Sequence, residues 1–419
     1  MIPKFLSKTS PKKIFFWNAA GSLFNALFTA IVLMIVNRAY DEVRGGIVTI
    51  SLALAQQMLT VANFETGTYY VTDGKKKFDF SIHFAAKVLL FAVAMAISVG
   101  VAVLKYDAYK ASVVIAFCVY KVTDGFSTLS AGALQREDRL DLAGMSLAAK
   151  TLGAVILLTG FTLVSHNLLL AAWSIAIFSV FWTVLVDMGL TASFLPLRPA
   201  FCFRKIGQLL LECAPLFLST FILTYIANQP KYVIDSLLSE QTQNAFGILF
   251  MPSAVICMLG IFVYRPLLTG LTWRWASKDL KGFARQVWMV CGVLAGLMAI
   301  CLAGAALLGI PFLELFFGVS LDGQRGNLCL ILAGGGFYAL ANWLYNVLVI
   351  FRKQRWMLGA YFLAYGVCLL ITKPLVAAWG IKGASLSYLV SNLFLAVLLA
   401  GICVVVFEKR KRTLQKTEK

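Results

Sequence analysis

A stretch of apolar residues long enough to cross a bilayer recurs twelve times along this chain, and no other feature constrains its fold as strongly. A helix needs about 20 such residues to traverse a hydrocarbon core about 30 Å thick. The segments of that length are Ile14–Val36, Ile47–Val71, Ile82–Leu104, Ala111–Leu134, Leu142–Val164, Leu168–Leu195, Leu209–Ala227, Ala245–Leu268, Gln286–Leu308, Gly326–Ile350, Met357–Ala378 and Gly383–Phe407. Apolar residues make up 60% of the 419 positions and charged ones 13%, about half the ~25% of an ordinary soluble domain. A soluble core of that size would lack the polar residues to cover it. The expected fold class is therefore an all-α polytopic membrane protein of about twelve transmembrane helices.

The placement of basic residues sets the expected orientation. One alternate set of loops holds the N-terminus, Lys75–Lys77, Arg136 and Arg139, the Arg198–Lys205 segment, Arg274–Arg285, Arg352–Arg355 and the tail, with 25 Lys and Arg in all. The opposite set holds Arg38, Arg44, Lys105, Lys110, Lys231, Arg325 and Lys382, or 7. Lysine and arginine are retained on the cytoplasmic side, so both ends are expected inside, in the cytoplasmic membrane of a bacterium. The run from Ile14 to Val36 is too long for a signal h-region and has no Ala-x-Ala exit, so it reads as an uncleaved first span. The net charge of +18 is scattered in short clusters between apolar segments, which does not suit nucleic acid.

The connector Pro196–Gln208, carrying Pro196 and Pro199, divides the spans six and six. The expected organisation is a cytoplasmic N-terminus over 1–13, an N-lobe over 14–195, a linker over 196–208, a C-lobe over 209–407 and a basic tail over 408–419. The halves share a faint likeness: Asn37-Arg38-Ala39-Tyr40 before Gly45-Gly46-Ile47 parallels Pro230-Lys231-Tyr232 before Phe246-Gly247-Ile248. Duplicated lobes are a common transporter plan. The prolines divide unevenly too: none falls between Pro11 and Pro196, while Pro215, Pro252, Pro266, Pro311 and Pro374 fall in or beside second-half spans, where they bend helices.

Enzyme chemistry finds no foothold. There is no phosphate-binding Gly-x-x-x-x-Gly-Lys-Ser/Thr loop, no Gly-x-Ser-x-Gly elbow and no His-Glu-x-x-His helix. Nine cysteines without a Cys-x-x-Cys pair, and only His83 and His166, argue against a disulfide framework or a zinc site. No cofactor is expected. Work, if the chain does any, must draw on a Na+ or H+ gradient, the membrane potential or the gradient of a transported solute.

The charges left inside spans are the candidate functional residues, because each costs about 2.5–3.5 kcal/mol near mid-bilayer and must face a bundle interior or water. They are Lys87, Lys121, Lys150, Arg265 and Lys373 against Glu65, Asp124, Asp187 and Glu212. At 1.5 Å per residue, Lys121 and Lys150 lie about 12–15 Å into their spans. Asp124, three residues after Lys121, shares its helix face and is its expected charge partner. Lys87, Arg265 and Lys373 lie nearer span ends, where long stems reach the interface. Glu65 sits in the polar patch Asn63-Phe64-Glu65-Thr66-Gly67-Thr68, while Asp187 and Glu212 lie near span ends and read as interfacial.

Several stretches resemble bacterial polysaccharide flippases, members of the superfamily that also holds multidrug/toxin extruders and the lipid II flippase. They are Ala214-Pro215-Leu216-Phe217-Leu218, the run Asn228-Gln229-Pro230-Lys231-Tyr232-Val233-Ile234-Asp235, the run Phe246-Gly247-Ile248-Leu249-Phe250-Met251-Pro252, and Arg265-Pro266-Leu267-Leu268. Val71-Thr72-Asp73-Gly74-Lys75 and Leu134-Gln135-Arg136-Glu137-Asp138-Arg139 resemble the first-lobe loops. The resemblance implies two six-helix lobes around a central cavity. It also implies translocation of undecaprenyl-pyrophosphate-linked oligosaccharide by alternating access, alongside membrane lipids, glycosyltransferases and a glycan polymerase. Lys121, Lys150 and Arg265, with Lys87 and Lys373 outside them, would hold the pyrophosphate, and Asp124, Glu65, Asp187 and Glu212 would be charge partners or ion-coupling groups. Asn18-Ala19-Ala20-Gly21 stands where the lipid II flippase pattern has a charged pair, which counts against a peptidoglycan precursor. The alternatives are an ion-coupled drug or metabolite antiporter, the lipid II flippase itself, and a scaffold for glycan-assembly enzymes, for which loops this short offer little docking surface.

Overall fold

The computed structural model describes residues 10–73 and 77–417. Lys4, Lys8, Lys75, Lys76 and Lys419 of the basic loop set lie outside them. Among the described residues there are helices and no strands. The chain runs through α1 (Pro11–Ala39), α2 (Glu42–Asn63), α3 (Thr66–Thr72), α4 (Phe80–Lys105), α5 (Ala108–Val122), α6 (Asp124–Arg136), α7 (Leu140–Ser165) and α8 (Leu168–Trp182). A π-helical turn (Thr183–Asp187) leads into α9 (Met188–Ala192), and the long α10 (Phe203–Leu237) follows. Then come α11 (Glu240–Tyr264), a 3-10 turn (Arg265–Leu267), α12 (Leu268–Ala276), α13 (Leu280–Gly304), a second π turn (Ala305–Gly309), α14 (Ile310–Phe317), α15 (Arg325–Ile350) and α16 (Gln354–Thr417).

Helices are bounded by side chains that satisfy their first free N–H groups. Asp41 accepts from the Arg44 amide, Asp107 from those of Tyr109 and Lys110, Asn167 from those of Leu169 and Leu170, and Asp279 from that of Gly282. Among the described residues 11 helical segments are long and apolar enough to cross a membrane. The last of them is two helices run together: Gly380, at φ 54° and ψ −129°, leaves helical geometry in the middle of α16. Only a residue without Cβ adopts that conformation readily. Counted on either side of Gly380 the spans among the described residues number twelve, in line with the hydropathy.

The chain divides into two compact units, 1–224 and 225–419. The division falls within α10, and the expected linker 196–208 lies inside the first unit. The reason is packing. Ile206, Leu209 and Cys213 share a core with Phe78, Ile82, Ala85 and Ala86; the Phe217 ring stacks on Phe64 at 4.0 Å; and the Phe221 carbonyl accepts from Gln57. The first unit thus holds six spans and the opening half of the seventh. Residues 196–202 are irregular, as their prolines predict, and are pinned by the Ala200 amide donating to the Ser81 carbonyl.

Candidate functional site

The most elaborate buried polar group in the first unit lies where α5 runs into α6 within one span. Thr123, at the junction, keeps helical backbone angles. Its hydroxyl lies 2.8 Å from the Tyr120 carbonyl and also meets the Ser179 hydroxyl, itself 3.1 Å from that carbonyl, so one of the two hydroxyls donates to the carbonyl and the other to its neighbour. Hydroxyls that bond back to a carbonyl in this way bend a helix without ending it. Asp124 follows directly, on the helix face that Lys121 shares.

Two ammonium groups meet on that carboxylate. Lys150 of α7 donates to Asp124 Oδ1 at 2.7 Å, and Lys121 of α5 reaches Oδ2 at 3.5 Å. Lys150 also donates to Thr183 at 3.1 Å and Ser127 at 3.3 Å, and Lys121 to Asn25 of α1 at 3.3 Å. The residues are sealed, with exposures of 6% for Lys121, 2% for Lys150 and 9% for Asp124. The sequence-based pairing of Lys121 with Asp124 is present, and Lys150 is the closer of the two cations.

Asp187 joins the group from the opposite side. Expected at an interface, it is instead 5% exposed, because the π turn at 183–187 adds a residue to the helical circuit and swings its carboxylate inward. It accepts from Ser127 at 2.6 Å and from Ser146, which in turn accepts from the Trp182 indole at 2.9 Å. Two carboxylates and two ammoniums thus share one hydroxyl-lined centre built from α1, α5, α6, α7 and the π turn, with no cation bonded directly to Asp187 among the described contacts.

The remaining candidates lie elsewhere. Lys87, 1% exposed, donates to the Ala62 and Asn63 carbonyls at 3.1 and 3.0 Å. Those carbonyls lose their helical partners because α2 stops where Phe64 and Glu65 turn left-handed, at φ 40° and 52°. Lys87 therefore does not snorkel; it closes the C-terminus of α2, as a cation there should. Replacing Lys87 with Met is expected to cost about 1–3 kcal/mol by stranding the Ala62 carbonyl, while that of Asn63 keeps the Thr66 hydroxyl. Thermal unfolding in detergent checks this, and a loss under ~0.5 kcal/mol would refute the capping role. Glu65 is half-buried and accepts from Thr68 at 2.7 Å. Glu212 accepts from the Tyr69 hydroxyl and the Lys77 ammonium, tying the start of α10 to α3 and the segment before α4.

In the second unit Arg265 sits in the 3-10 turn that Pro266 induces, and Lys373 precedes Pro374 within α16; both are exposed. Lys231, counted as a loop residue by its polar neighbours and Pro230, is helical and only 8% exposed. It donates to Asn228 at 3.2 Å and lies 4.0 Å over the Phe250 ring. The i, i+3 spacing of Asn228 and Lys231 was the available signal for this buried cation.

Comparison with known proteins rests on structure, since no family model and no curated protein matches the sequence. Lipid II flippase MurJ, in an inward closed conformation, superposes with a TM-score of 0.64 at 12% identity, over 93% of this chain and 89% of that one. An inward-facing multidrug-resistance MATE-family transporter of the MOP superfamily gives 0.60 at 13% identity, over 100% and 98%. A MOP superfamily transporter from Pyrococcus furiosus gives 0.56 at 14%, over 99% and 98%. The chain is a multi-pass α-helical membrane protein with the fold of MOP superfamily transporters.

Proposed function

We propose that the protein is a flippase that carries undecaprenyl-pyrophosphate-linked oligosaccharide across the cytoplasmic membrane of a bacterium by alternating access, with both chain ends inside. The observation that carries this reading is the triad of Lys121, Asp124 and Lys150, in which two ammoniums meet on one carboxylate. Two cations held side by side in a low-dielectric interior suit the two phosphoryl groups of a diphosphate once that carboxylate gives them up. MurJ, which shares the fold, supports a lipid-borne cargo.

The closed geometry gives the proposed mechanism its form. Both lysines are already engaged, so a diphosphate binds by taking the place of Asp124, and a proton on that carboxylate keeps the exchange from stranding a charge. Each phosphoryl group then gains a charge-assisted contact. Arg265 and Lys373 are proposed to meet the same head group at another stage of the cycle, and Asp187 to hold the hydroxyl network while the triad opens. Glycosyltransferases and a polymerase are the partners this function requires.

The quadruple variant Lys121→Gln, Asp124→Asn, Lys150→Gln, Asp187→Asn tests the reading, because neutralising a whole buried ionic group is often near neutral for stability. In proteoliposomes loaded with labelled polyprenyl-diphosphate oligosaccharide, it should retain its unfolding midpoint and lose at least about a hundredfold in transport. Transport at the unaltered rate would overturn the assignment. The MATE-family likeness favours a second reading, an ion-coupled antiporter of drugs or metabolites. Uptake of a cationic dye driven by a pH gradient in the same vesicles, without movement of the labelled lipid, would select it.

A further inference from the structure

A second basic site lies at one end of the second unit, where α12, α15 and both ends of α16 come together. A cavity of about 280 Å3 there is lined by Trp275, Phe351, Lys353, Trp356, Lys409 and Arg410, among others. Its floor is aromatic. Trp275 and Phe351 are buried with ring centroids 4.3 Å apart, and Phe283 packs beneath both. Its wall is the end of α16: Arg410 stacks 3.9 Å over the Trp275 ring and donates to the Trp275 carbonyl at 2.7 Å. Lys409 lies 5.6 Å from the Trp356 ring. Lys353 and Lys409 are exposed, and no acidic residue is among those that line the cavity.

The surroundings reinforce that charge. Residues 274–285, 351–356 and 408–412 together carry eleven basic and two acidic side chains. Tryptophans gather at the depth of lipid head groups, and basic pockets between helix ends at that depth suit phosphate head groups. A cavity that combines a tryptophan floor, two exposed ammoniums and a guanidinium held in place has the chemistry to bind a phosphodiester whose acyl chains run on into the bilayer.

We propose that this cavity binds the head group of an anionic bilayer phospholipid, with Lys353 and Lys409 on the phosphate and Arg410 fixing the wall that carries Lys409. The site is independent of the transported cargo. It would fasten the end of α16 to the bilayer and to α12.

Native mass spectrometry of the full-length protein, titrated with phosphatidylglycerol or phosphatidylcholine, tests the assignment. Phosphatidylglycerol should be retained preferentially, and the Lys353→Gln, Lys409→Gln pair should weaken that retention about thirtyfold at roughly 1 kcal/mol per charge. The charge-keeping Lys353→Arg, Lys409→Arg pair should retain it. A second pair at the same end but outside the lining, Lys278→Gln with Lys281→Gln, should weaken it far less. Equal retention of the two lipids, or an equal loss in the second pair, would overturn the proposal. So would displacement of phosphatidylglycerol by an equal concentration of soluble glycerol 3-phosphate, which would assign the cavity to a free phosphate ester.

Discussion

Asp124→Asn is expected to destabilise the purified protein by about 3–5 kcal/mol, the cost of leaving buried charge without its partner. The loss should be large because one carboxylate serves two cations. Lys150 keeps only the Thr183 and Ser127 hydroxyls, and Lys121 only Asn25 and the ring faces of Phe28 and Tyr120 at 5.6 and 5.5 Å. Removing a cation at the same time should restore stability. The distances say which: Lys150, at 2.7 Å, should be coupled more strongly to Asp124 than Lys121, at 3.5 Å. Asp124→Asn with Lys150→Gln should therefore recover more of the loss than Asp124→Asn with Lys121→Gln. Denaturation midpoints for the singles and both doubles measure the two couplings. A loss below ~1 kcal/mol in Asp124→Asn would mean that the lysines are not held by this carboxylate.

The spans were legible because transfer of some twenty consecutive residues into hydrocarbon is a sum, and a sum survives the misreading of any one residue. The breaks inside them were not. Hydropathy reads 47–71 as one segment, yet its helix stops where Phe64 and Glu65 turn left-handed. The carbonyls freed there are met by Lys87, 25 and 24 residues further on, so no local window contains the partner. The site was half legible for the same reason. Lys121 and Asp124 share a helix face by spacing alone, and the depth of Lys150 marked it as needing a partner. Which partner it finds, and the inward turn of Asp187, depend on how α6, α7 and the π turn pack. Lys231 was lost by a different route, since Pro230 and the amides around it imitate a loop inside a helix that runs on to Leu237.

Gly144 and Gly160 lie on the same helix, α7, and substitution by Ala should act on them with opposite signs. At Gly160 a Cβ would meet nothing within 4 Å, so Gly160→Ala should be neutral or stabilise by up to about 1 kcal/mol through helix propensity. At Gly144 a Cβ would collide with the Trp17 carbonyl and lie 2.6 Å from the Asn18 nitrogen, while a Cβ on Gly21 would lie 2.5 Å from the Gly144 carbonyl oxygen. Backbone meets backbone there, as small residues permit where helices cross in a membrane. Gly144→Ala should cost about 1–3 kcal/mol through overpacking, and Gly144→Leu should cost more and push α1 away. Because α1 carries Asn25, which accepts from Lys121, the displacement should also loosen the triad and lower the transport proposed above. Unfolding midpoints for the two alanine variants decide the matter, since similar losses at both glycines would show that helix propensity, and not this close approach, governs α7.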